Sequence, residues 1–347
     1  MRHLFVLAML AGCLAAQNFV VSPTGYATNE GSSNNTYPFS GSGFRYQQVH
    51  GDLRGTPRVL LGMSWRRDGT LATSSSYGPR AFDFELLLGD GNVGAFSSTF
   101  ATNFTSTPLL VFTRKVVNAP DFTALPDVMP APWSFSIPFD VPYIHTAQAD
   151  LIWEVALHAN TNPSGWFMDA TTTNSSAWQA GFTASGVGCT TSNGTMKTRA
   201  NVIVSTVPSM SMAWQIVAGP SSAAAVVFVG LTNPNLPVPG LCNNERLYTD
   251  AMLAQISATT NATGGASTAS LVVPYNPAYV ALGLTAQAIA IDASQPNHGV
   301  AAGNGVATII PTVPVPVSVT RLFAPGSPTN ATGSLAPNYG LVVRFRG

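Results

Sequence analysis

The chain has 347 residues, with 15 basic and 15 acidic side chains and no net charge. Hydrophobic residues make up 46% of it, and 31 Gly and 26 Pro are spread along its length. A disordered chain needs more charge and less hydrophobicity, a nucleic-acid binder needs a surplus of basic residues, and a helical membrane protein needs apolar runs of about 20 residues. We therefore expect a turn-rich protein with an apolar core, about two domains, no nucleic-acid partner and no transmembrane span.

The N-terminal segment has the pattern of an export signal. Arg2 precedes the apolar run 4–11, and two small residues, Ala15 and Ala16, follow it. This is the order of charge, apolar core and cleavage site in a signal peptide. We predict a signal peptide over residues 1–16 and a secreted or cell-surface protein. The sequence LAGC, which ends at Cys13, also resembles a lipobox, so lipid tethering through Cys13 is the alternative to cleavage after Ala16.

After this leader, short segments alternate between apolar and polar residues with a period of two, which predicts β-strands. The candidates are residues 59–66, 82–87, 151–158, 225–231, 270–273, 279–291, 306–310 and 341–345. One short helix is expected from Asn243 to Ala254. Strands separated by Gly, Pro and Asn turns favour an all-β fold with two β-sandwich domains, either jelly-roll-like or immunoglobulin-like.

The composition changes near residue 189. Five of the six tryptophans precede it, and residues 18–189 carry 12 acidic side chains against 3 in residues 190–347. We therefore predict an N-terminal sandwich over 17–189 and a C-terminal sandwich over 190–347. Within the second domain, residues 321–337 are expected to be linker-like and to precede the final strand.

Two cysteines follow the leader, Cys189 and Cys242. An exported protein with a small even number of cysteines is expected to form disulfides. Their spacing is far too wide for a CxxC redox or zinc motif. We predict a disulfide between Cys189 and Cys242.

Several local patterns resemble a family of uncharacterised exported bacterial proteins. In the first half these are FRYQQVH at residues 44–50, WRRDG at 65–69 and DLIWE at 150–154. In the second half they are VGL at 229–231, GLC at 240–242, VPY at 273–275 and QAIAID at 287–292. The resemblance implies an exported protein with two β-rich domains, and it carries no catalytic residue.

Paired carboxylates are the strongest indication of chemistry, because nucleotide-binding, zinc-protease and nucleophile-elbow motifs are absent from the sequence. Asp83 and Glu85 share one strand face, and Glu154 lies on the polar face of the strand 151–158. If these strands are neighbours, the three acids line one sheet and provide the carboxylate pair of a glycoside hydrolase. The alternative is the ordinary alternation of a half-exposed strand.

Candidate metal ligands form a weaker sequence pattern than the paired carboxylates do. His145, Asp150, Glu154 and His158 fall within one segment, but nothing in their spacing implies that they converge. We expect no metal site and no resident cofactor. A structural calcium ion at turn carboxylates such as Asp90 or Asp169 is the one exception that the sequence allows.

Aromatic residues in loop-like contexts are candidate sugar platforms, because an exposed flat ring packs against the C–H groups of a sugar. The candidates are Trp133, Trp166, Trp178 and Tyr143. Burial in the core is the alternative for each. Trp65 and Trp153 lie on apolar strand faces and are expected in the core, whereas Arg66-Arg67-Asp68-Gly69 is expected to be a solvated hairpin turn.

These features together favour an exported or cell-surface protein that is not an enzyme. It would bind an extracellular ligand such as a polysaccharide or serve as an envelope or matrix module, and its low charge permits self-association. The alternative is an extracellular carbohydrate-active hydrolase that uses Asp83, Glu85 or Glu154.

Overall fold

The computed structural model describes residues 18–70, 77–172, 177–205, 209–296, 298–312 and 318–347. These residues form an all-β fold in several antiparallel sheets, which confirms the predicted fold class. No helix among them is long and apolar enough to cross a bilayer. The predicted leader, with Cys13 and Ala16, lies outside the described residues.

The described residues contain twenty-eight strands and a few single turns of 3₁₀-helix. The first twelve strands are β1 (Phe19–Ser22), β2 (Asn29–Glu30), β3 (Ser33–Asn35), β4 (Phe44–His50), β5 (Arg58–Trp65), β6 (Arg80–Gly91), β7 (Leu109–Ala119), β8 (Phe135–His145), β9 (Asp150–Asn160), β10 (Met168–Thr172), β11 (Ala177–Ala180) and β12 (Phe182–Ser185). The next twelve are β13 (Thr190–Thr191), β14 (Gly194–Thr195), β15 (Lys197–Ser205), β16 (Ser209–Val217), β17 (Ala224–Gly230), β18 (Leu236–Pro237), β19 (Arg246–Leu247), β20 (Ala254–Thr259), β21 (Ala266–Ser267), β22 (Leu271–Pro274), β23 (Gly283–Ile291) and β24 (Val300–Ile309). The last four are β25 (Val319–Pro325), β26 (Ser334–Pro337), β27 (Tyr339–Leu341) and β28 (Val343–Arg346). The 3₁₀ turns are Gly51–Leu53, Val93–Ala95, Phe100–Thr102, Phe122–Ala124, Cys242–Asn244 and Pro277–Tyr279.

The first sandwich consists of a six-stranded sheet, β26-β25-β4-β9-β6-β7, and a four-stranded sheet, β1-β28-β5-β8. The two sheets bury a core rich in aromatic rings, in which Trp65 from β5 and Trp153 from β9 meet edge to face. The alternation of β6 follows the expected pattern: Phe82 and Phe84 are fully buried, and Asp83 between them faces outward.

The C-terminal strands belong to this first sandwich. β25 pairs with β4 along its whole length, and β28 lies between β1 and β5. The stretch 321–337, expected to be linker-like, instead contains β25 and β26, which pair with each other. Only the Gly- and Pro-rich residues between these strands form a loop, and they account for the linker-like composition.

The second sandwich consists of the sheet β2-β11-β15-β16-β21, in which β22 also pairs with β16, and the sheet β12-β24-β23-β17-β20. Its core has few aromatic rings: Trp214 packs with small residues such as Ala288 and Ala302. Strands β2, β11 and β12 precede residue 189 in the chain but pair within this sandwich. The chain therefore passes from one sandwich to the other before the predicted boundary.

A small sheet, β27-β10-β3, joins these parts. β10 pairs with β27 on one side and with β3 on the other, so it holds the end of the chain against its beginning. Residues from distant parts of the sequence are thereby assembled at the junction of the two sandwiches.

The predicted helix from Asn243 to Ala254 is wrong. The segment contains one 3₁₀ turn, Cys242–Asn244, and then the short strand β19. Asn243 and Asn244 have positive φ angles of 52° and 55°, a conformation in which an α-helix cannot continue.

The predicted disulfide is present. Cys189 and Cys242 are bonded with their Cα atoms 5.3 Å apart, and they are separated by 53 positions in the sequence. Glu245, close to Cys242, accepts hydrogen bonds from the backbone N–H groups of Val187 and Gly188. The bridge and this carboxylate together fasten the 186–189 turn to the second sandwich.

Removal of this bridge tests its contribution to the fold. The double variant Cys189→Ser/Cys242→Ser should lose about 4 kcal/mol of unfolding free energy, because the unfolded chain then regains the entropy of an open loop. Urea titration measures the loss. Reduction of the wild type should reproduce it, whereas a reductant should not change the variant. An unchanged urea midpoint in the double variant would contradict the stabilising role of the bridge.

Candidate functional site

The three candidate carboxylates lie on one face of the six-stranded sheet. β6 and β9 are adjacent and antiparallel, with Glu85 opposite Ala156 and Leu87 opposite Glu154. Asp83, Glu85 and Glu154 therefore point outward from neighbouring strands, away from the aromatic core. The two strands are therefore neighbours, as the hydrolase hypothesis supposed.

Each of these carboxylates nevertheless has a basic partner. Arg114 binds Asp83, with 2.7 Å between Nη2 and Oδ2, and this hydrogen bond lowers the pKa of Asp83. Glu154 is buried and accepts hydrogen bonds from Arg45 Nε at 2.8 Å and from Gln47. Burial raises the pKa of Glu154, and Arg45 offsets part of that effect.

Glu85 lies 3.5 Å from Nε2 of His158. Two of the three carboxylates on this face are therefore bound by arginine, and the third lies beside a histidine. A general acid and a nucleophile need carboxylates that can reach a substrate, so this arrangement is typical of a structural network.

The candidate metal ligands do not converge. Asp150 accepts hydrogen bonds from Arg54 Nε at 2.9 Å and from the backbone N–H of Val93 at 2.7 Å. His145 is buried beside the backbone oxygen of Leu53, and burial lowers its pKa. Among the described residues, no group of three or more acidic, histidine or cysteine side chains is arranged to hold a metal ion.

The two acids considered for calcium also have protein partners. Asp90 accepts a hydrogen bond from the Tyr143 hydroxyl at 3.1 Å. Asp169 is fully buried and forms an ion pair with Arg66, with 2.5 Å between Nη2 and Oδ2. The other oxygen of Asp169 accepts a hydrogen bond from the backbone N–H of Gly31 at 2.8 Å, so both oxygens have protein donors.

The candidate aromatic platforms are mostly packed against protein. Trp166 is fully buried and stacks on Phe122, with 4.1 Å between ring centroids. Tyr143 is also buried. Trp133 is half-buried and lies between two guanidinium groups, with Arg66 4.7 Å and Arg344 5.2 Å from its ring centroid.

Trp178, the fourth candidate platform, lies in β11 and pairs with Val204 through its backbone. Its side chain is outside the part of the chain that the structure describes.

The segment Arg66-Arg67-Asp68-Gly69, expected to be a solvated turn, is buried at the junction of the sandwiches. Arg66, Arg67 and Asp68 are 1%, 0% and 0% exposed. Arg66 follows β5 directly and reaches Asp169 on β10 and the backbone oxygen of Asn29 on β2. The sequence prediction failed here because these partners lie far away in the chain.

Glu30 completes this buried network. One of its carboxylate oxygens accepts a hydrogen bond from the backbone N–H of Gly69 at 2.6 Å, whereas the other has no partner among the described residues. Burial, together with the neighbouring carboxylates of Asp169 and Asp68, raises the pKa of Glu30 well above its usual range. Arg66 opposes this shift only in part.

Next to the network is a polar cleft, the junction cleft, with a volume of about 170 Å³. β15 provides Arg199, Asn201 and Ile203 from one of its faces, and three more amide side chains come from β3, β11 and β16. These amides are Asn34, Gln179 and Gln215, with Ser33, Met129 and Phe182 beside them. The cleft thus combines hydrogen-bonding groups with two apolar surfaces.

Arg199 fixes one wall of the junction cleft. Its guanidinium donates to the backbone oxygens of Gly69 and Thr70 and lies 3.3 Å from Asp127. Its charge is therefore paired. Oδ1 of Asn201, in contrast, is buried and has no hydrogen-bond partner among the described residues. A buried acceptor without a partner is a position at which a ligand can donate a hydrogen bond.

The sequence analysis did not identify the junction cleft. The alternation of Arg199, Asn201 and Ile203 along one strand was a usable signal for a polar strand face. Asn34 of β3 and Gln179 of β11 also line the cleft, and only the fold brings these two residues to it.

Comparisons of the chain with protein-family models, with curated proteins and with solved structures find no match. The function therefore has to be argued from the geometry of the chain itself.

The raised pKa of Glu30 predicts a pH dependence of stability. The folded protein keeps the Glu30 proton to a higher pH than the unfolded chain, so the free energy of unfolding falls as pH rises above the unfolded pKa of about 4.3. Glu30→Gln removes this loss. Relative to the wild type, the variant should gain stability as the pH rises above about 4.3, by about 1.4 kcal/mol for each pH unit over which Glu30 stays protonated in the folded protein.

Urea unfolding of both proteins across this pH range measures the difference. The matched control is Glu85→Gln, the same change on the outer face of the six-stranded sheet. A stability difference between Glu30→Gln and wild type that does not vary with pH would show that Glu30 is ionised in the folded protein.

Proposed function

We propose that the protein is an exported, non-enzymatic ligand-binding protein and that its junction cleft binds one neutral sugar unit of an extracellular polysaccharide. The observation that carries this proposal is the group of four amide side chains that line the cleft, one of which, Asn201, has a buried Oδ1 without a partner among the described residues. Amides both donate and accept hydrogen bonds, as adjacent hydroxyl groups of a sugar require.

The charge of the cleft supports a neutral ligand. Arg199, the basic residue of its lining, is paired with Asp127 and bound to two backbone oxygens. An anionic ligand would have to compete with Asp127 for this guanidinium. A neutral ligand with hydroxyl groups does not have to displace Asp127 from the guanidinium.

Size and apolar contacts support a single ring. Pockets for drug-sized molecules span roughly 300–1,000 Å³, and the junction cleft has about 170 Å³. Phe182 and Met129 offer apolar surface for the C–H faces of a sugar. One residue of a chain fits this description better than a longer segment.

The proposed location follows from other features of the chain. The Cys189–Cys242 disulfide favours an oxidising compartment. The signal-peptide pattern and the resemblance to exported bacterial proteins support secretion or attachment to the cell surface, either in free form or through Cys13. A role in an envelope or matrix, with self-association, is compatible with binding of a surface polysaccharide.

The hydrolase alternative relies on Asp83, Glu85 and Glu154. Arg114 and Arg45 bind two of these carboxylates directly, and His158 lies beside the third. The proposal therefore assigns these acids to the stability of the sheet.

The test is a glycan array followed by calorimetry with the glycan that binds. Asn201→Ala should weaken binding about tenfold, because each lost hydrogen bond in a site contributes about 1 kcal/mol or more. The control is Gln255→Ala, the same loss of an amide at an exposed position of β20. Equal affinity of Asn201→Ala and wild type would contradict the proposed site, and release of shortened glycan would support the hydrolase instead.

A further inference from the structure

A second depression lies on the outer face of the four-stranded sheet, away from the junction cleft. Two cross-strand rows form it: Arg344 on β28 is opposite Ser64 on β5, which is opposite Ser136 on β8. In the next row Arg346 is opposite Gly62. The depression has a volume of about 190 Å³, and the Phe19 ring lies at its edge.

Gly62 lines this depression and has no side chain to fill it. A Cβ atom at this position would lie 2.8 Å from the backbone oxygen of Ile137 and 3.5 Å from Nε of Arg346. A side chain at this position would therefore press on the backbone of β8 and contact Arg346.

The two arginines lack the acidic partners that are usual at such positions. Neither Arg344 nor Arg346 forms an ion pair with a described carboxylate, and Nε of each is buried without a hydrogen-bond partner among the described residues. Arg346 donates from Nη2 to the backbone oxygen of Leu61 at 2.9 Å. Burial and the nearby charge of Arg66 lower the pKa of Arg344.

Aromatic rings hold Arg344 in position. Its guanidinium lies 4.2 Å from the centroid of the Phe19 ring and 5.2 Å from that of Trp133. Contacts of this kind fix the orientation of the guanidinium but do not neutralise its charge. A half-buried positive charge without a counter-ion costs free energy that a bound anion would recover.

The hydroxyl group of Ser64 completes the set of donors. The Ser136 hydroxyl donates to Oγ of Ser64 at 2.9 Å, so the Ser64 proton is available to a further acceptor. Arginine forks and hydroxyl groups are the side chains that recognise tetrahedral oxyanions.

We propose that this depression is a binding site for a tetrahedral oxyanion, the sulfate or phosphate group of an extracellular ligand. Arg344 and Arg346 supply its positive charge, and Ser64 donates a hydrogen bond. The site does not depend on the proposed sugar cleft, because the two share no residue.

Calorimetry with inorganic sulfate, inorganic phosphate and acetate at one ionic strength tests this proposal on the intact chain. Sulfate and phosphate should bind, and Arg346→Gln should weaken their binding about tenfold, the usual effect of one charge-assisted hydrogen bond. Ser64→Ala should weaken binding by a smaller factor. Because Arg346→Gln can also affect folding, Ser64→Ala and thermal unfolding of each variant keep binding and folding distinct.

The matched control is Arg114→Gln, the same change at an exposed arginine of the six-stranded sheet that is paired with Asp83. It should leave oxyanion binding unchanged. The proposal is overturned if neither sulfate nor phosphate binds, if acetate binds as tightly as they do, or if Arg114→Gln weakens binding as much as Arg346→Gln.

Discussion

The ion pair between Arg66 and Asp169 determines how the two sandwiches meet. Both side chains are fully excluded from water, and Arg66 also holds the backbone of β2. Loss of one member of such a pair leaves an uncompensated buried charge, which costs about 3–5 kcal/mol. Arg66 thereby connects strands from three distant parts of the sequence, β2, β5 and β10. Glu30 and Asp68 are buried beside the pair and bring two more carboxyl groups to this junction.

The junction cleft lies beside this network. The turn after Arg66 presents the backbone oxygens of Gly69 and Thr70 to Arg199, and Arg199 lines the cleft beside Asn201. Within the first sandwich, Trp133 lies between Arg66 and Arg344, so the buried network and the proposed oxyanion site share one ring. The two proposed binding sites thus have different donors, and both lie beside the buried network.

The sequence predicted the features that depend on local alternation. The all-β fold, the core positions of Trp65 and Trp153, the outward acids of β6 and the disulfide all follow from a period of two or from residue type. Strand pairings between segments that are distant in the sequence were not predicted. The return of β25 and β28 to the first sandwich, and the burial of Arg67 and Asp68, depend on partners that no local pattern specifies. Polar residues at alternate positions of a strand predict a polar strand face, but they do not show which segment of the chain packs on that face.

A double-mutant cycle on Arg66 and Asp169 tests the central claim most directly. The variants are Arg66→Met, Asp169→Asn and their combination, and the measurement is the free energy of unfolding in urea. We predict that each single variant loses about 3–5 kcal/mol and that the double variant loses much less than the sum, because neither charge is then left alone. Small, additive losses below about 1 kcal/mol, as for a solvent-exposed pair, would contradict the account.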